Sequence, residues 1–154
     1  MRIARLAAVL GLMILPQGAM ALSCLIPDAV HAYETARKAK EDYVVLPGQF
    51  DQAPVRQGKT GPVLNFTGKQ LGTSGFGTAF TGQITLVRHC LTAEPACDAS
   101  YVPWGEQLIF VQKKDDRLVL FESLCGDMLI AQPSKDDLHR LLTCHRGGEC
   151  LALN

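Results

Sequence analysis

Six cysteines carry most of the chemical potential of this chain: Cys24, Cys90, Cys97, Cys125, Cys144 and Cys150. Structural zinc sites draw on Cys-x-x-Cys or His-x-x-x-His pairs that present two donors from one turn, and neither spacing occurs. The expectation is therefore no metal. An even cysteine count in an oxidising compartment points instead to three disulfides, and sequence alone leaves their pairing open. One pair stands apart. Between Cys144 and Cys150 lie His145-Arg146-Gly147-Gly148-Glu149, where two glycines let the chain fold back on itself. A Cys144–Cys150 bridge would close a small loop worth about 2 kcal/mol in chain entropy.

The other reactive groups form no constellation. His31, His89, His139 and His145 are scattered singly, with no carboxylate at a spacing that would orient them. Paired acids at Glu41-Asp42, Asp115-Asp116 and Asp136-Asp137 sit at helix ends or turns, where solvated charge is the ordinary state, and none has the apolar setting that raises a carboxyl pKa for acid catalysis. There is no G-x-S-x-G nucleophile elbow. Ala53-Pro54-Val55-Arg56-Gln57-Gly58-Lys59-Thr60 imitates a phosphate-binding loop, but that loop works only where a helix follows and offers its amides to phosphate. Here Gly61-Pro62 follow, with no helical pattern behind them. Catalytic residues and cofactors are accordingly expected to be none.

Compartment comes from the first 21 residues. Arg2 and Arg5 precede an apolar run from Leu6 to Leu15, then Pro16 and the small-residue end Ala19-Met20-Ala21. That order is a secretory signal peptide, and the run is shorter than the roughly 20 residues a bilayer span requires. Residues 1–21 are thus the expected leader and 22–154 a single exported domain, secreted or periplasmic. A lipobox-like Ala21-Leu22-Ser23-Cys24 is the competing reading, with Cys24 lipidated. Removing the leader takes two arginines and no acid, so Lys+Arg falls from 15 to 13 against 15 Asp+Glu, a net charge of −2. Such a balance gives no electrostatic basis for nucleic acid.

The elements that must position these residues read as mainly β. Pro27–Asp42 has a helical pattern capped by Asp28, with Ala29, Ala32, Tyr33 and Ala36 on one face. Tyr43–Leu46 reads as a strand stopped by Pro47-Gly48, followed by a polar, turn-rich stretch from Phe50 to Gly61. Val63–Thr67 resumes the sheet, glycines at 68, 72, 75 and 77 suggest a loop, and alternation from Phe76 to Arg88 marks a bent strand with a bulge or coil at Gly82. Leu108–Val111 and Leu118–Phe121 form a hairpin. Their consecutive apolar positions imply cover on both faces, as in a barrel with a helix outside. Trp104 is expected as a core plug at the strand entrance, with a binding-surface tryptophan as the alternative. Ser134 opens a last helix with Leu138, Leu141 and Leu142 on one face.

The order of these parts, Ser23-Cys24 at the mature terminus, an early helix, bent strands, then Cys97, a hairpin and Cys125-Gly126, resembles the netrin-like modules and the inhibitory domain of the tissue inhibitors of metalloproteinases. The resemblance implies an OB-fold-like five-stranded barrel with an N-terminal and a C-terminal helix, stapled by disulfides. It also implies that Cys24 pairs with Cys125, leaving Cys90 to pair with Cys97. A Cys24–Cys125 bridge would close a loop of about 100 residues, worth up to about 4.7 kcal/mol. Position 22 departs from the pattern, since Leu22 replaces the first cysteine of the family's Cys-x-Cys, so zinc chelation by the chain terminus is not inherited outright.

The resulting expectation is an exported, non-enzymatic binding module for a protein or carbohydrate partner outside the cytoplasm. Its special case is protease inhibition through Leu22, Ser23 and Cys24. A small secreted enzyme using His89 or His145 as base, and an envelope-associated lipoprotein held through Cys24, are the alternatives.

Overall fold

The computed structural model describes residues 26–57, 61–88, 102–123 and 127–153. The expected leader, residues Leu22 to Cys24, His89, and Cys90, Cys97 and Cys125 with their pairings lie outside these. Among the described residues no helix is long and apolar enough to cross a membrane.

Helix α1 runs Ala29–Lys38, and the Asp28 carboxylate accepts the N–H groups of Val30 and His31, each at 2.9 Å. It ends four residues before the helical pattern does, because Ala39 turns extended and Asp42 is already committed to the sheet, its carbonyl accepting the Lys113 N–H at 2.8 Å. Six strands follow: β1 Tyr43–Gln57, β2 Pro62–Gly72, β3 Gly75–Arg88, β4 Gln107–Lys114, β5 Arg117–Glu122 and β6 Leu129–Ala131. Helix α2, Lys135–His145, comes last, opened by a capping box in which Ser134 and Asp137 bond reciprocally.

Strand order in the sheet is β1-β2-β3-β5-β4-β6, and β1 also pairs with β4, so five strands close into a ring. All its pairings are antiparallel except β3 with β5. Strand β4 gives one edge to β1 and divides the other, with Gln112–Lys114 meeting β5 and Gln107–Ile109 meeting β6.

The alternation along β1 and β4 explains their unbroken apolar runs. Val44, Leu46, Ile109 and Val111 face the ring interior with Phe50, Leu64, Phe66, Ile84, Leu86 and Leu120. Their neighbours Val45, Leu108 and Phe110 face outward into a second cluster with Ala29, Ala32 and Ala36 of α1 and Leu141 of α2. The expectation that both faces of the first hairpin strand are covered therefore holds.

Three sequence expectations are corrected. Pro47-Gly48 does not stop β1, which continues to Gln57 with irregular register between Phe50 and Arg56. Gly48 lies opposite Gly68, and a Cβ at Gly48 would come within 2.2 Å of the Thr67 carbonyl oxygen. Glycine is there for close strand approach. The glycine-rich stretch after Gly68 is mostly strand, turning only at Thr73-Ser74. No bulge occurs at Gly82, where β2–β3 register is unbroken. Phe80 folds over that glycine, and a Cβ would meet its ring at 2.8 Å. Strand β6, short and poor in pattern, had no separate sequence signal.

Candidate functional site

Trp104 is the largest departure from expectation. The only tryptophan is 67 % exposed, while Pro103 before it is buried and Val102 packs against the interior cluster. The Trp104 backbone is fixed: the Gln107 side-chain amide donates to the Trp104 carbonyl at 2.8 Å, and Gly105 follows with φ +77°. Gln107 is itself 1 % exposed. The chain thus carries a large aromatic side chain outward from an anchored corner at the start of β4.

A cleft of about 450 Å³ lies close by in the fold. The paired backbone of Gly48 and Gly68 forms part of its lining, Pro133 and Leu138 another part, and Lys69 and Glu106 bring opposite charges. Glu106 stands two residues after Trp104, and its carbonyl accepts the Gln132 N–H at 2.8 Å, joining this corner to the segment before α2.

His145 is not a free base. A carbonyl only accepts, so Nε2, 3.0 Å from the Gly72 oxygen, carries the hydrogen. Nδ1 lies 2.9 Å from the Tyr33 hydroxyl and shares a hydrogen bond with it. Both nitrogens are engaged, and the ring is half-buried. Its role is to fasten the end of α2 to α1 and to the β2–β3 turn. His31 and His139 are exposed.

A second polar centre joins the start of α1 to the middle of α2 and to the C-terminal segment. Arg140 donates to the Asp28 carboxylate at 3.0 Å, to Asp137 at 2.8 Å, to Asp136 at 3.2 Å and to the Leu151 carbonyl at 2.9 Å. Leu153 N–H reaches Asp28 at 3.2 Å. Burial alone would raise the Asp28 carboxyl pKa, but hydrogen bonds from His31, Leu153 and Arg140 outweigh it and hold it below the ordinary value. Asp137 is likewise below normal: burial opposes this, while Ser134 and Arg140 stabilise its charge. The guanidinium is raised by the same two carboxylates against the effect of burial.

Of the sequence-picked cysteines, Cys144 and Cys150 are bonded as expected. What spacing could not reveal is their neighbour. The Glu34 carboxylate of α1 comes within 4.8 Å of both sulfurs, although it is more than a hundred residues away in sequence. Asp115 and Asp116 are exposed and form the β4–β5 turn, whereas Asp136 and Asp137, in the first turn of α2, both accept from Arg140 and Asp137 is half-buried. The phosphate-loop imitation leads from β1 into β2 with no intervening helix among the described residues.

No family model, curated protein or solved structure matches the chain.

Proposed function

We propose that the chain is an exported, non-enzymatic binding module, built on an OB-fold-like barrel, that takes a protein or carbohydrate partner on the face around Trp104. The strand order β1-β2-β3-β5-β4 with closure onto β1 supports the barrel reading. Such barrels bind through one face and the loops beside it. The observation that carries the function is the exposed indole on a braced backbone. Aromatic side chains bury a large area at low entropic cost, and rigid ones lose little freedom on binding. They dominate protein interfaces, and their faces accept sugar rings.

The test is retention of partners by the exported protein, with purified extracytoplasmic proteins and soluble glycans as probes. The expected result is a retained partner whose affinity falls at least tenfold in Trp104→Ala, the loss of an interfacial anchor of about 1.4 kcal/mol or more. Equal retention by Trp104→Ala would overturn the proposal. Inhibition of a metalloprotease by Leu22, Ser23 and Cys24 is the special case that the netrin-like resemblance implies. One residue added before Leu22 would abolish it.

A further inference from the structure

Cys144 and Cys150 bridge where α2 ends, with Cys144 buried and Cys150 half-buried. Two features place negative charge on this spot, and reduction supplies sulfur ligands as a third. The carbonyl end of α2 carries the negative pole of the helix. The Glu34 carboxylate lies within 4.8 Å of both sulfurs, and Arg37 and Lys38 each donate to it at 2.9 Å. Reduction would add two thiols. Reactive thiolates are stabilised by helix N-termini or adjoining cations; this helix end has the opposite polarity. A divalent cation, by contrast, would be favoured by all three features together.

We infer that the reduced protein binds one thiophilic divalent cation, of the zinc and cadmium class, through Cys144 Sγ, Cys150 Sγ and a Glu34 carboxylate oxygen, so that the disulfide acts as a redox gate on a metal site. Two thiolates and a carboxylate suit a tetrahedral d10 ion, with water completing the fourth position. Zinc–sulfur bonds near 2.3 Å and zinc–oxygen bonds near 2.0–2.2 Å place such ligands roughly 3.5 Å apart. The sulfurs must separate to that spacing, and Gly147 and Gly148, within the loop, supply the freedom. His145 is not in the set, because Tyr33 and Gly72 hold its ring.

The chemistry balances in two steps. An external dithiol reductant passes two electrons and two protons to the bridge, leaving two thiols and its own disulfide. The cation then displaces the two thiol protons, while Arg37 and Lys38 release Glu34 to it.

The test titrates cadmium into wild-type protein reduced with a phosphine and into the oxidised protein, following thiolate-to-metal absorbance and bound-metal stoichiometry. Reduced Cys144→Ser/Cys150→Ser serves as the site-free control for the remaining cysteines. Glu34→Gln, on a partly exposed helix position, leaves the fold in place. Reduced wild type should bind one more equivalent than the site-free control, and Glu34→Gln should weaken that equivalent by about tenfold or more. Equal stoichiometry in wild type and control would overturn the site, as would metal uptake at these residues in the oxidised protein. An unchanged affinity in Glu34→Gln would overturn the three-ligand set.

Discussion

Inside the ring, Phe50, Phe66 and Phe80 lean on one another, with ring centroids 4.9 and 6.3 Å apart, and aliphatic side chains fill the remaining space. Across the helix pair the alanines of α1 meet Leu141 of α2 over Val45, Leu108 and Phe110, and polar groups tie the helices: Asp28 at the start of α1 to Arg140 in the middle of α2, and Tyr33 in the middle of α1 to His145 at the end of α2. The first region depends on volume and tolerates changes of pH or salt. The second adds charge and geometry to its apolar contact, since the buried residues that α1 brings to that cluster are only small alanines. Hydrophobic burial scales with area removed from water, so the helices need these directional bonds to fix how they cross.

That contrast can be broken most severely from within. Phe66 is fully buried, and Phe66→Ala should cost about 3–5 kcal/mol through lost transfer energy and the cavity left behind. Urea unfolding would register it, with little dependence on pH.

Arg140→Met should cost less, about 2 kcal/mol, since it strands the buried Asp28 carboxylate but the pair is partly reached by solvent. Its signature is pH. Asp28 and Asp137 have pKa values depressed in the folded protein, so their contribution is present above the ordinary carboxylate pKa of about 3.9 and is lost as pH falls through the lowered folded values. Wild type should therefore lose stability on acidification below about pH 4, and Arg140→Met should flatten that limb. An unchanged acid limb would remove the polar seam from the account.

Replacing Cys144 and Cys150 by serine should cost about 2 kcal/mol in unfolding experiments. Tyr33→Phe deletes one hydrogen bond to His145 and should cost about 1 kcal/mol, again with the ring interior unaffected. The smallest effect has the opposite sign. Asp115 and Asp116 both hold positive φ, 48° and 58°, in the two-residue β4–β5 turn. Asp116→Gly suits that backbone and should raise stability by about 0.5 kcal/mol, visible as a higher melting temperature.

The two regions also differ in how far they could be read in advance. Ring strands announce themselves by local pattern: Val44 and Leu46 inside, Val45 outside, and the same alternation on β4. Cap residues Asp28 and Ser134 were equally legible, because capping is decided within four residues. Pro47-Gly48 misled because its glycine answers to Gly68 on another strand, a contact with no local trace. Arg140 with Asp28 and Tyr33 with His145 join residues 112 apart, and Glu34 meets the disulfide across the same helix seam. Trp104 was misplaced for a related reason. A tryptophan's size favours burial on average, but here Pro103 is buried and Val102 packs against the interior cluster while the indole is left outside.

The exposure of that indole is the point on which the functional reading rests, and the chain's single tryptophan makes it directly measurable. Steady-state fluorescence of the folded, isolated protein should show solvent-like, red-shifted emission that acrylamide quenches freely, with both effects reduced when a retained partner is added. A blue-shifted emission that acrylamide does not reach in the isolated protein would contradict the account.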